Sequence, residues 1–300
     1  MAYETGTAAG HYDLLDKLRA FLKTNAALVA AGQEWTELRW DGASAERESI
    51  LQGPGLSGIE EIFIGIKTYQ SVPLDYFNWR VAAFTGFVSG NDFYHQPGTP
   101  NTAGTPTGDL AVPLYQNSIP YWFVGNGQRA IVVANVQTQY QAFYLGKCLP
   151  YATPGQYPYP VVCSGMLTSG SATRYDNTGY STPFKGARAN LKMRFVDGVW
   201  KEPEVWPWNN TQNQFPLATG QGGPRNTNAD YTLSPGYYGL HPIVLNDAGP
   251  NQYGELDGVY WLTGFDNAVE NTVTIGADTY LVVRDVWRTG FMDFFAIKLA

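Results

Sequence analysis

The sequence predicts a mainly β protein: antiparallel sandwich or barrel-like sheets with long loops and one N-terminal amphipathic helix. Three observations carry this. Only one segment has a helical apolar period. After residue 32 the chain breaks into short strand-like runs divided by Gly, Pro, Asn and Ser clusters. Turn-forming pairs stand between several of those runs, as a meandering sheet requires.

The helix is expected over residues 12–23, where Leu14, Leu15, Leu18, Phe21 and Leu22 share one face and Asp16, Lys17, Arg19 and Lys23 the other. Asn25 can cap a second short turn through residues 26–31, and Gly32 can stop it. This face either packs on the body or docks on a partner. Residues 34–41 (EWTELRWD) alternate, and 61–69 (EIFIGIKTY) place Ile62, Ile64 and Ile66 on one face. Residues 76–87 read as the partner strand of a hairpin with Pro73 in the connection. Residues 89–113 lack periodicity and read as a surface excursion, or an arm that orders against a neighbour.

Asn126-Gly127 predicts a type I′ hairpin between 120–124 and a long strand run over 129–144. Asp197-Gly198 predicts a second, between 191–196 and 199–200. Gly276-Ala277-Asp278 predicts a third, between 272–275 and 279–287, and 294–299 can add a last strand. Residues 150–160 (PYATPGQYPYP), 164–186 and 209–239 are loop-coded but carry aromatic rings that favour partial burial, so they are not flexible linkers. The expected organisation is an N-terminal helical segment, 1–32, and a β-rich body, 33–300. Any division of that body into two lobes falls near 185–200.

Among 300 residues, 19 Lys and Arg stand against 26 Asp and Glu, a formal charge of −7, and only 15% of the chain is charged. A negative chain without a basic run repels a phosphate backbone, so neither nucleic acid nor an anionic membrane surface is expected as a partner. The first twenty residues lack the basic start and apolar core of a secretory signal, and no run is long and apolar enough to insert in a bilayer, so a soluble protein is expected. Cys148 and Cys163 lie outside any zinc-binding spacing. They could pair if their strands adjoin, but two buried thiols are the simpler reading. Asn209-Asn210-Thr211 matches a glycosylation acceptor, which has no weight without secretion.

Chemistry leaves few traces. There is no G-x-S-x-G elbow, no Cys beside a His-bearing motif, and no pair of metal ligands at helical or hairpin spacing, so no catalytic residue, metal or cofactor is expected. His11, His95 and His241 read as ordinary structural or exposed histidines. A glycoside hydrolase needs two carboxylates across a cleft at no fixed spacing. Glu60, Glu61, Asp75, Asp92, Asp247, Glu255 and Asp257 are available, and none is singled out. Residues 247–257 break the EF-hand spacing and read as a polar turn.

What exceeds background is the aromatic load: 9 Trp, 20 Tyr and 15 Phe, equal to the charged residues at 15%. Exposed rings stack on sugars or anchor protein interfaces. Rings in alternating strands belong mostly to the core. Those in loops, Tyr151, Tyr157, Tyr159, Trp206 and Trp208, are the interface candidates.

Residues 2–22 (AYETGTAAGHYDLLDKLRAFL), 61–69, 75–87 (DYFNWRVAAFTGF), 120–136 (PYWFVGNGQRAIVVANV), 144–160 (YLGKCLPYATPGQYPYP), 279–287 (TYLVVRDVW) and 294–299 (FFAIKL) resemble a family of virion proteins of tailed bacteriophages. The resemblance spans nearly the whole chain. It departs from the family pattern at 128–130, which is less basic and aromatic, and at 164–186 and 209–239, which match nothing in it. It implies a structural part of the tail, at the baseplate or tail tip, located in the virion and made in the host cytoplasm. The implied partners are other virion proteins and copies of itself, with no catalytic residues. The alternative is an adsorption module of the same particle that binds a host-surface glycan; a polysaccharide-cleaving enzyme ranks third.

Overall fold

A computed structural model describes residues 1–100, 110–167, 173–185, 190–207, 239–247, 251–264, 266–290 and 293–299. Helix α1 (His11–Thr24) buries the five apolar residues that its period predicts, together with His11. A short helix α2 (Ala26–Ala30) follows: the Asn25 side chain accepts from the Ala27 amide at 3.0 Å. Gly32, at φ 63°, takes the left-handed conformation that ends it.

Ahead of the helix lies a strand that periodicity does not reveal, β1 (Ala2–Ala8). Its two buried side chains are alanines, so it has no large apolar residue to mark an inward face. Gly6 leaves the space that the Tyr121 ring fills, and the Tyr121 hydroxyl donates to Glu4 at 2.9 Å.

The remaining strands build three antiparallel sheets, none closed into a barrel. One contains β2 (Thr36–Asp41), β3 (Glu48–Gly53), β4 (Ile62–Ser71), β5 (Tyr76–Phe84) and β6 (Leu110–Pro113) in sequential order. The β4–β5 hairpin turns at Pro73, within a single 3-10 turn, and at Asp75 with φ 58°. Strand β6 corrects the reading of residues 89–113 as one excursion: 110–113 pair with β5 and are fully buried. Upstream of it, Phe93 packs edge to face on Phe84.

The central sheet runs β1, β7 (Ile119–Asn126), β8 (Arg129–Val136), β9 (Gln139–Lys147), then β11 (Val161–Ser164), β12 (Leu191–Arg194) and β13 (Trp200–Lys201). Between β9 and β11 in the chain, the two-residue β10 (Leu149–Pro150) joins the third sheet instead. That sheet holds β14 (Glu204–Trp206), β15 (His241–Asn246), β16 (Gln252–Trp261), β17 (Thr272–Ile275), β18 (Asp278–Arg284) and β19 (Phe294–Lys298), in the order β14-β15-β16-β19-β18-β17.

Burial makes the central sheet the middle layer. Ala130, Val132 and Ala134 of β8 share a core with helix α1 and with Ile62, Ile64 and Ile66 of β4. Ile131 and Val133 point the other way, into a core with Val259 and Trp261 of β16 and Ile297 of β19. A strand covered on both faces has no polar side to display, which is why residues 130–133 read as an unbroken apolar run.

The three hairpins form where their turn residues stand, with one change of mechanism. Asn126 pairs with Arg129, so the central residues are Gly127 and Gln128, and neither has the positive φ of a type I′ turn. Instead the Asn126 side chain accepts from the Gln128 and Arg129 amides at 2.9 and 3.1 Å. The two positive φ angles occur at Gln137 (54°) and Thr138 (86°), which split the expected 129–144 run into β8 and β9. Hydrogen bonds impose this non-glycine turn: Asn135 accepts from the Thr138 amide, and the Gln137 amide group bonds Tyr115 and Tyr175. Gly198 (φ 78°) and Gly276 (φ 64°) supply the other two turns.

Both cysteines are buried and free. Cys148 directly follows β9, which adjoins the strand of Cys163, but Cys163 lies opposite Leu145, three positions from Cys148. An odd offset sends the two thiols to opposite faces of the sheet, and each joins a different core. No helix among the described residues is long and apolar enough to cross a membrane.

Candidate functional site

Residues 148–160 form a closed loop on the central and third sheets. The Cys148 amide donates to the Pro160 carbonyl at 2.9 Å and closes its neck. Strand β10 lies against Glu255 and Gly254 of β16, and the Tyr151 amide donates to the Tyr253 carbonyl at 3.0 Å. A tight turn follows. The Thr153 carbonyl accepts from the amides of Gln156 and Tyr157, and the Gln156 side chain accepts from the amide and hydroxyl of Thr153. Prolines at 150, 154, 158 and 160 fix φ along the remainder, so the loop is held by both covalent restriction and hydrogen bonds.

This loop separates the sequence-predicted rings. Tyr157 is 1% exposed and its hydroxyl donates to the Arg194 carbonyl. Its ring meets Tyr253, which in turn packs edge to face on Phe195 at 4.6 Å. That side chain therefore serves the chain's own core. Tyr151 and Tyr159 project outward, 53% and 41% exposed, with the Arg194 guanidinium over the Tyr159 ring at 5.2 Å. Trp206 is half-buried on β14 opposite Val244, and Trp208 lies outside the described residues.

Two open depressions flank the loop. The larger, about 550 Å³, has walls of Tyr151, Val196 and Tyr253 and a rim of Gln156, Asn251 and Gln252. Asp247 orients part of it, accepting from Asn251 Nδ2 at 2.7 Å and from the Tyr253 hydroxyl at 3.2 Å. Burial, then the neighbouring carboxylates, raise the pKa of Tyr151 and Tyr253, which keeps both hydroxyls as donors. The smaller, about 360 Å³, lies between Glu60, Glu61, Lys147 and Tyr159, beside Ile59, which is 88% exposed. Lys147 and Glu60 form an ion pair there.

Glu60 and Glu61 line the smaller depression and Asp247 and Glu255 bond residues of the larger one, whereas three further carboxylates and His11 are engaged elsewhere. Asp75 is paired with Arg174 at 2.6 Å. Asp92 accepts from the Tyr94 and His95 amides and contacts His95 Nδ1 at 2.7 Å. Asp257 binds Asn126, Gln128 and Arg129. His11 is buried at the start of α1. Among the described residues no three metal-ligating side chains gather. The arrangement presents binding surfaces: rings, amides and one ion pair around a rigid loop.

Sequence reasoning missed Ile59, Val196 and Tyr253. Tyr253 lies inside 247–257, whose polar composition hides a ring that only the pairing of β10 with β16 brings beside Tyr151 and Tyr157. No protein-family model matches this chain, and comparison with curated proteins finds no similar one.

Proposed function

We propose that the chain is a non-enzymatic structural component of a bacteriophage virion, in the tail or baseplate, that works through interfaces with other virion proteins and with copies of itself. The observation that carries this reading is the loop at 148–160. A rigid backbone holds Tyr151 outward at the larger depression and Tyr159 outward at the smaller one beside the exposed Ile59, so a partner can bury these side chains with little ordering cost. The resemblance of the sequence to tail-associated virion proteins supplies the setting. In particles assembled with Tyr151→Ala/Tyr159→Ala, the protein is expected to fold normally and to be depleted from the tail. Normal occupancy would defeat the reading.

A second reading, adsorption to a host-surface glycan, is favoured by the larger depression alone. Tyr151 and Tyr253 offer ring faces to the apolar side of a pyranose, and Asn251 and Gln252 offer amides to its hydroxyls. Binding of the isolated wild-type protein to a glycan array, lost in Tyr151→Ala, would select this reading over the first.

A further inference from the structure

We infer that Lys185 and Asp293 are joined by an intramolecular isopeptide bond, formed without a partner enzyme, with Asp285 as the carboxylate that moves the protons.

The three residues come from three separate places. Lys185 ends the 3-10 turn Pro183–Lys185, Asp285 directly follows β18, and Asp293 directly precedes β19. Lys185 Nζ contacts Asp293 Oδ1 and lies 3.4 Å from Asp285 Oδ2. The Asp285 side chain is wholly buried, while those of Lys185 and Asp293 are 21% and 17% exposed.

Each group is held in place before any reaction. The Asp285 amide donates to the Asp293 carbonyl at 2.7 Å, and the Lys185 amide donates to the Thr182 carbonyl at 3.1 Å. The Asp285 carboxylate accepts from the Thr182 amide at 2.5 Å, from Ser181 Oγ at 3.0 Å and from Arg288 Nη1 at 3.0 Å. Phe184, next to Lys185 in the chain, and Phe295, two residues from Asp293, are fully buried and meet edge to face at 5.3 Å. Fixing an amine against a carboxyl replaces a dilute bimolecular encounter with a unimolecular one, and this is the step that an uncatalysed amide bond lacks.

The protons balance within the cluster. An ammonium–carboxylate pair taken out of water can pass its proton across, leaving a neutral Lys185 amine and a neutral Asp293 carboxylic acid. Burial, with the Arg288 charge added to it, lowers the Lys185 pKa against the opposing pull of Asp285 and so favours that form. The amine attacks Asp293 Cγ and forms the N–C bond. Asp285 accepts the proton from the attacking nitrogen and returns it to the departing hydroxyl; the C–O bond breaks and one water leaves. Arg288, Ser181 and the Thr182 amide hold the Asp285 carboxyl in place during the exchange. No oxidant, metal or cofactor enters. The product would tie the 3-10 turn between β11 and β12 of the central sheet to the β18–β19 pair of the third sheet, closing a chain segment of about a hundred residues and restricting the unfolded state accordingly.

Intact-mass spectrometry of the purified full-length chain under denaturing conditions tests this directly. The wild type is expected to be one water lighter than its sequence after N-terminal processing is accounted for, and a tryptic digest is expected to contain a branched peptide joining the Lys185 and Asp293 segments. Lys185→Arg and Asp293→Ala should restore the full sequence mass, and Asp285→Asn, which keeps both reacting groups, should accumulate the unreacted form. A wild-type mass equal to the sequence, with the two peptides recovered separately, would show an ion pair only and overturn the inference whatever the variants do.

Discussion

Arg129 of the β7–β8 hairpin is wholly buried and directs its Nε to Asp257 of β16 at 3.2 Å, so the middle and third sheets are linked by a charge pair as well as by apolar packing. Asn126 and Gln128 donate to the same Asp257 oxygen at 2.7 and 3.0 Å. The hairpin tip is also tied toward the helical side. The Trp35 indole donates to the Asn126 carbonyl at 2.8 Å, and the Gly55 amide to the Gly127 carbonyl at 2.8 Å. The least apolar portion of the hairpin thus stands where all three layers meet.

Removing the acid from this pair leaves a buried guanidinium without its counter-charge. Asp257→Ala is expected to cost about 3–5 kcal/mol, read as a lower denaturant midpoint at unchanged slope. Burial acts to raise the Asp257 pKa, but Arg129 and the three hydrogen bonds outweigh it and hold the pKa below the ordinary carboxylate value. The stabilisation is therefore complete above the unfolded carboxylate pKa and is lost as pH falls through the lower folded one.

His11 predicts a second pH effect at milder acidity. Burial, reinforced by the charge of Arg47, lowers its pKa from 6.5 to about 4, and Nε2 is buried without a hydrogen-bond partner. Between those values the unfolded chain binds a proton that the folded chain does not, so stability rises with pH across the window. Acidification through it is expected to remove up to about 3 kcal/mol. His11→Gln should flatten that part of the profile; an unchanged slope in the variant would contradict the assignment.

The thiols should be silent. Burial raises both Cys148 and Cys163 to about 12, and they face different cores. A thiol reagent is expected to label neither in the native state and both after denaturation, and reducing agent should not shift the melting temperature. Serine at either position buries a hydroxyl where a thiol packed, at a cost of about 1–3 kcal/mol.

Tyr157 and Tyr151 stand six residues apart and should behave oppositely. Tyr157→Ala empties a fully buried site and is expected to cost about 3–5 kcal/mol. Tyr151→Ala, at an exposed ring, should stay within about 0.5 kcal/mol of wild type. Thermal melts of the two variants distinguish core from surface without any partner present.

Thr138 carries a β-branched side chain at φ 86°, a conformation that side chain disfavours. Thr138→Gly is expected to stabilise the β8–β9 hairpin by about 1 kcal/mol, the relieved strain exceeding the added entropy of the unfolded chain. A lower melting temperature in this variant would mean that the threonine side chain contributes more than its backbone costs.

Local rules made much of this protein readable. The helix at 11–24, its cap at Asn25, the alternation of Ile62, Ile64 and Ile66, and the turns at Gly198 and Gly276 all follow from periods and turn residues a few positions apart. Strand β1 escaped because a strand with alanines at its buried positions has no apolar period, and β6 escaped because four residues are too few to show one. The aromatic loop at 148–160 was legible as a feature, but not which of its tyrosines faces out. That depends on β10 pairing with β16, about a hundred residues away.

The sequence by itself determined the mainly β class, the single amphipathic helix and the low-charge, ring-rich composition, because each depends on neighbouring residues or on simple totals. Only the tertiary structure decided that the central sheet is covered on both faces, that Cys148 and Cys163 point apart, and that Tyr157 is core while Tyr151 is surface. Each of these is a matter of register between distant strands, and a shift of one residue in register exchanges inside for outside while leaving every local pattern unchanged.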